Sequence, residues 1–196
     1  MLAKTYSWLG SEVLLGAAIA ILSVFTGLSS YQSQMASSDQ NKYQNQGMKA
    51  LSDANAAFLM ANQYTLYDYS LYDNWATNEA GPKASYYEGN FSDELKDSIK
   101  TNPDDPFSDA YYAAMKKAAD EKSAESDAKL AIAENFNGRG DELQLVMLIA
   151  AIGLSFAAWA SLLNAKSVMR LLFSFMSIVT GILALVAYLS VRVVVV

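Results

Sequence analysis

Three stretches of the chain are apolar almost without interruption, at residues 9–28, 143–163 and 171–191. Each has about the 20 residues that a helix needs to cross the hydrocarbon of a bilayer. Backbone amides find no water there, so each stretch must satisfy its own hydrogen bonds as a helix. The first carries Glu12 near its start, and the other two hold no charged residue. Between the first and second stretches the pattern changes. Residues 29–80 contain one glycine, Gly47, and no proline, and apolar positions recur at Met48, Leu51, Phe58, Leu59, Leu66 and Leu71. That spacing predicts a helix over 29–80, entered directly from the first apolar stretch. Gly81-Pro82 ends it. Residues 81–105 read as a loop with one short helical piece near 92–100. Asp105 as N-cap and Pro106 at the first helical position predict a second helix over 106–136, with Phe107, Tyr111, Ala114, Ala118, Ala128 and Ile132 near one face. Asn137-Gly138-Arg139-Gly140 predicts a break just before the second span.

The predicted fold class is therefore all-α: an integral membrane protein with three transmembrane helices and an extracytoplasmic helical-hairpin domain between the first and second. The segments are 1–28, 29–142, 143–163, 164–170 and 171–196. Lys4 followed by an apolar run has the form of a secretory leader. Its apolar part is longer than a leader's, and Leu28-Ser29-Ser30 is a poor cleavage site, so an uncleaved signal anchor is expected.

Charge separates the segments further. The chain has 20 acids and 14 bases. Residues 29–142 hold 19 acids against 10 bases, a net of −9, while the remainder holds one acid against four bases, a net of +3. Cations beside short loops mark the cytoplasmic side. Lys4, Lys166 and Arg170 place the amino terminus and the 164–170 connection inside, which puts residues 29–142 outside. Arg192 dissents, one cation against three. Tyr6 and Trp8 stand where an interfacial aromatic belt is expected.

Small residues recur at helical spacing in every span: Gly16, Ala20, Ser23 and Gly27 in the first; Ala150, Gly153, Ala157 and Ser161 in the second; Ser174, Ser177, Gly181 and Ala184 in the third. Such stripes let helices approach closely in lipid. Two readings stand: the stripes pack the three spans together, or at least one meets another subunit. Glu12 is expected to form an inner-side ion pair with Lys166 or Arg170; an ion path would rest on this one carboxylate.

The predicted hairpin has thin stripes, rich in Ala, Tyr and Met, that bury too little to stand alone. Ten of the 12 tyrosines lie in residues 29–142. Tyr64, Tyr67, Tyr69, Tyr72, Trp75, Tyr86 and Tyr87 either pack the hairpin's tip or present an interaction surface, for protein or for carbohydrate or another ligand. Asp104, Asp105 and Asp109, and Asp68 with Asp73, lack calcium-loop spacing and read as caps or solvated surface. Asn90-Phe91-Ser92 is an N-glycosylation sequon in the predicted outer loop.

Cysteine and histidine are both absent. Disulfides, thiolate- or imidazole-bound metals and His-dependent catalysis are thereby excluded. The chain carries no nucleophile elbow, phosphate-binding loop or dinucleotide fingerprint. The expectation is no enzyme, no catalytic, cofactor-binding or metal site, and no nucleic-acid partner, since phosphates call for clustered Lys and Arg.

Ser38-Asp39-Gln40-Asn41-Lys42-Tyr43-Gln44, followed by Lys49, is similar to the Ser-Asp-Gln-x-x-Tyr-Tyr-Gln stretch with downstream lysine of an uncharacterised family of three-span prokaryotic membrane proteins, known only as a domain of unknown function. The second tyrosine is missing here and the lysine spacing is shifted. The run from Tyr64 to Trp75 is similar in flavour to archaeal versions. The resemblance implies the three-span topology and an archaeal or bacterial source, and it carries no catalytic residue over.

The expected function is a non-enzymatic structural or interaction membrane protein, acting as a homo-oligomer or as an accessory subunit of a larger membrane complex. Its expected partners are the lipid bilayer and itself or other membrane proteins. Two alternatives remain. An oligomeric channel or small transporter would use Ser23, Thr26, Ser155, Ser161, Ser174, Ser177 and Thr180 as its polar stripe. An extracytoplasmic sensor would need a separate output partner.

Overall fold

A computed structural model describes residues 11–78 and 81–195. These are all helix, turn and short connection, with no strand among them. Five helices follow in order: α1 Glu12–Thr77, α2 Pro82–Gly89, α3 Asp93–Thr101, α4 Asp109–Leu162 and α5 Val168–Leu189. Three of them, α1, α4 and α5, include windows long and apolar enough to cross a membrane. The chain is a multi-pass, all-α membrane protein. Lys4, Tyr6 and Trp8, on which part of the orientation and the aromatic belt rested, lie outside the described residues.

α1 runs from the first apolar stretch through the polar one without a break, as the scarcity of glycine and proline predicts. It ends at Thr77 in a tightened turn, where Asn78 N–H donates to the Trp75 carbonyl at 3.0 Å, and Asn74 Nδ2, Thr77 Oγ1 and Asn78 Nδ2 each donate to the carbonyl four residues back. Gly81 is then the extended N-cap of α2, with Pro82 at its first position. A helix at Pro82–Gly89 corrects the expectation of loop there.

Two further corrections concern α4. It begins at Asp109, three residues after the expected Pro106. The Pro106 carbonyl accepts from Ser98 Oγ at 2.5 Å, which holds residues 106–108 as a turn and lays Phe107 into the aromatic cluster described below. The break expected at Asn137–Gly140 does not form, and α4 continues through it to Leu162. Each glycine in a helix costs about 1 kcal/mol against alanine. Here the glycines admit neighbours. The Gly140 carbonyl accepts from Ser33 Oγ at 3.2 Å, and a Cβ at Gly138 would lie 2.6 Å from the Arg192 guanidinium.

The chain groups into two compact units: Met1–Tyr43 with Ala131–Val196, and Gln44–Leu130. In the first, the apolar unit, α1 and α4 run antiparallel. Leu22 packs on Ala150 and Ala184, and Tyr43 stacks on Phe136. Leu143, Val146, Ala150, Gly153, Ala157 and Ala160 of α4 are buried, in steps alternating three and four residues. That 3.5-residue period is the seam of left-handed helix packing. Phe25 meets Tyr188 edge-on, and Gln32 Nε2 donates to the Tyr188 hydroxyl at 2.9 Å, tying α1 to α5. After α5, the Arg192 backbone and side chain grip Glu142 at 2.7–2.8 Å, so the one cation that dissented in orientation is a clasp at the start of the second span. The Arg192 N–H and guanidinium hold the Glu142 carboxyl below its ordinary range.

In the second, the polar unit, α1 and α4 again run antiparallel, with Ala50, Ala54, Ala61, Ala119 and Ser126 buried. Gly47 is a point of close approach: a Cβ there would lie 2.8 Å from the Leu130 side chain, and its carbonyl accepts from Ser126 Oγ at 2.9 Å. At the far end of this seam small residues give way to an aromatic cluster. Phe91, Leu95 and Tyr111 are buried there, with Leu71, Tyr72, Trp75, Ile99, Phe107 and Met115 packed around them.

Candidate functional site

The tyrosine-rich run divides between two jobs. Tyr72 and Trp75 belong to the cluster: Tyr72 meets Phe107 edge-on at 5.3 Å, and Trp75 meets Phe91 at 6.1 Å. Tyr69 edges Phe107 and shares a hydrogen bond with Tyr112, which pushes the Tyr112 hydroxyl up to about 12. These rings pack the tip. Tyr64, Tyr67 and Tyr86 face outward and line a groove of about 750 Å³, with Tyr87 set edge-on behind Tyr86.

The groove follows from local sequence. Alanines 57, 61 and 118 leave room along the seam, and Met60, Tyr64 and Tyr67 of α1 build one wall. Tyr86 and Asn90 of the α2 end, and Ser92, Asp93 and Glu94 at the start of α3, build the other. Asp68 joins the walls. Its buried carboxylate accepts from Ser92 N–H at 2.9 Å, Ser92 Oγ at 2.5 Å and the Tyr111 hydroxyl at 2.7 Å. Ser92 Oγ also caps α3 by accepting from Leu95 N–H at 3.0 Å. Burial first, and then the Asp68 carboxylate, pushes the Tyr111 hydroxyl well above the ordinary phenol range.

Asp68 was read along the chain as a cap or solvated surface, and its burial between α1, α3 and α4 is a correction. A carboxylate in a polar helix looks the same whether solvated or buried. Only the approach of Ser92 and Tyr111, 24 and 43 residues away, sets its role. Asn90 is exposed, and its Nδ2 donates to the Tyr86 carbonyl at 2.7 Å. The rest of its sequon is engaged: Phe91 is core, and Ser92 holds Asp68.

In the apolar unit the small-residue stripes part company. Ala150, Gly153, Ala157, Ser174, Ser177 and Ala184 are buried, and a Cβ at Gly153 would lie 2.6 Å from Thr180 Oγ1 and 3.3 Å from Leu22. Gly181 sits against Leu22. Ser161 is exposed and Ala160 takes the buried position, because the 3.5-residue seam outruns a four-residue spacing by that point. Gly16, Ala20, Ser23 and Gly27 of the first span all face outward, and, outside its own helix turn, no described residue lies within 4 Å of a Cβ at Gly16 or Gly27. Leu15, Leu22 and Ser29 are the residues that α1 buries there.

The ion pair expected of Glu12 with Lys166 or Arg170 does not form. Glu12 and Lys166 are exposed. Arg170 is buried, and its Nη1 donates to the Leu163 carbonyl at 3.0 Å, a partner seven residues back across the short connection, with no carboxylate in ion-pair distance among the described residues. The hydroxyls offered as a polar stripe mostly bond to their own helices: Thr26, Ser155, Ser161, Ser174 and Thr180 each donate to a carbonyl three or four residues back.

No protein-family model, curated protein or solved structure matches the chain. The functional reading therefore stands on the groove, the exposed faces and the three membrane-length helices themselves.

Proposed function

We propose that this is a membrane-anchored, non-enzymatic interaction protein, held with its polar unit on the outer face. It works as a homo-oligomer or as an accessory subunit of a larger membrane complex. The observation that carries the reading is a stripe of large apolar side chains on α1 in the polar unit. Met48, Leu51, Phe58, Leu59 and Leu66 share one side of the helix and are between 37% and 67% exposed. Lys116 covers part of the Phe58 ring, at 5.6 Å, and leaves the rest open. A row of exposed apolar side chains, with Asn55 and Asn62 between them, on a unit otherwise rich in acids marks a place where another protein sits.

The outward stripe of Gly16, Ala20, Ser23 and Gly27 supports the same reading within the membrane. Small residues gain little dispersion energy against lipid and suit close approach of another helix. The positive flanks Lys166 and Arg170 support the orientation.

Mass measurement of the full chain in mild detergent tests the proposal. The expected result is a species heavier than one chain with its micelle, either a multiple of the chain or a complex with a membrane protein. Leu59→Asp with Leu66→Asp is expected to reduce it to the monomer without loss of helix. A wild-type chain that runs as a lone, folded monomer would overturn the proposal.

A further inference from the structure

We propose that the groove in the polar unit binds an organic cation, an alkylated ammonium with an apolar body. The groove and the docking stripe lie on different faces of α1, since at 3.6 residues per turn Met60, Tyr64 and Tyr67 centre about 120° away from Met48, Leu59 and Leu66. The inference is therefore independent of what covers that stripe.

Three observations converge. The walls present phenol rings, Tyr64, Tyr67 and Tyr86, each more than half exposed, beside the soft side chain of Met60. Ring faces attract cations through their quadrupole, and most strongly cations whose charge is spread over alkyl groups and weakly hydrated. The ionisable side chains lining the groove besides the tyrosines are all carboxylates, with no Lys or Arg among them. Asp68 is consumed by its three donors. Asp93 has Lys96 Nζ at 3.9 Å, and the half-buried Glu94 has no cation within ion-pair distance among the described residues. Finally, residues 44–130 hold 15 acids against 8 bases, a net of −7, so the surrounding field gathers cations and repels anions. The volume of about 750 Å³ suits a small organic molecule rather than a bare metal ion.

Choline and its uncharged carbon isostere, 3,3-dimethylbutan-1-ol, test the inference on the full chain in maltoside micelles, with binding read by calorimetry. Choline is expected to bind saturably and the isostere at least about fivefold more weakly. Glu94→Gln is expected to weaken choline about fivefold and leave the isostere unchanged. Tyr64→Ala with Tyr86→Ala is expected to weaken choline at least about fivefold, and Tyr64→Phe to retain it within about twofold, because phenylalanine keeps the ring face. The substituted tyrosines are exposed, and an unchanged far-UV circular dichroism spectrum confirms that the variants fold. No saturable choline binding, equal binding of the isostere, or wild-type affinity in the Glu94→Gln and double-alanine variants would each overturn the inference.

Discussion

The apolar and polar units pair the same two helices, α1 and α4, antiparallel and with small residues in the seam, yet they are held in different ways. In the apolar unit small residues of α4 and α5 receive Leu22 of α1, whose own stripe of small residues faces outward. Leu22 fits against Ala150, Ala184, Gly153 and Gly181, and most hydroxyls bond to their own helix. Lipid is as oily as leucine, so burying leucine gains little there and close backbone approach decides the packing. In the polar unit water supplies a hydrophobic force. A seam of alanines buries little area, and the deficit is made up at one end by Phe91, Leu95, Tyr111 and the rings around them. One carboxylate, Asp68, joins three elements. The comparison teaches that a single helix can carry two packing codes, each suited to its solvent.

The sharpest way to break this contrast is at Asp68. Asp68→Ala strands the Ser92 N–H, the Ser92 hydroxyl and the Tyr111 hydroxyl, and it is expected to cost about 3 kcal/mol of polar-unit stability. Denaturant unfolding followed by tryptophan fluorescence reads it, since Trp75 sits in the cluster. A loss under about 1 kcal/mol would show that the cluster stands without its carboxylate.

A steric test comes next in size. Gly153→Leu drives a side chain into Thr180 and Leu22 and is expected to cost about 2 kcal/mol by overpacking, measured as thermal unfolding in micelles. Thr180 yields poorly because its hydroxyl is bonded to the Met176 carbonyl and its β-branch restricts the rotamer. If packing in this unit depended on apolar area instead, the added leucine would stabilise it.

The smallest effect is on pH. Tyr112 titrates near 12 and Tyr111 also above its ordinary range, against 10.0 for a free phenol. Folding therefore favours the neutral phenols. Their contribution is complete below pH 10 and declines as pH rises through 10 toward 12, because the folded unit holds protons that the unfolded chain has released. The difference in phenolate absorbance between the wild-type chain and a Tyr111→Phe, Tyr112→Phe variant, which cancels the other tyrosines, should appear in step with loss of helical signal between pH 10 and about 12. That difference appearing at pH 10 with the fold intact would mean that the Tyr69–Tyr112 pair and the Asp68 network do not couple to folding.

Much of the fold was legible along the chain. The three spans are runs of oily residues long enough to cross lipid, and a run is a local property that needs no partner to recognise. The end of α1 before Gly81-Pro82 was equally local. Faces were harder to read. The stripe at Gly16, Ala20, Ser23 and Gly27 looks like those at Ala150–Ala157 and Ser177–Ala184, but only the latter two are buried, because a stripe declares that approach is possible and not who approaches. Of the tyrosines, the sequence showed a cluster, and the structure separated the packed Tyr72 and Trp75 from the groove-lining Tyr64, Tyr67 and Tyr86.

By itself the sequence determined the helical class, the three membrane-length helices and the acidic character of the segment between the first two. All of these depend on composition and periodicity within a few turns of chain. Tertiary structure alone decided that α4 passes through Gly138 and Gly140, that Arg192 clasps Glu142, that Arg170 answers to Leu163 and not to Glu12, and that Asp68 is a buried joint. Each depends on which distant group arrives first and fits best, and the free energy of a glycine or a charge is set by that neighbour and not by its place in the chain.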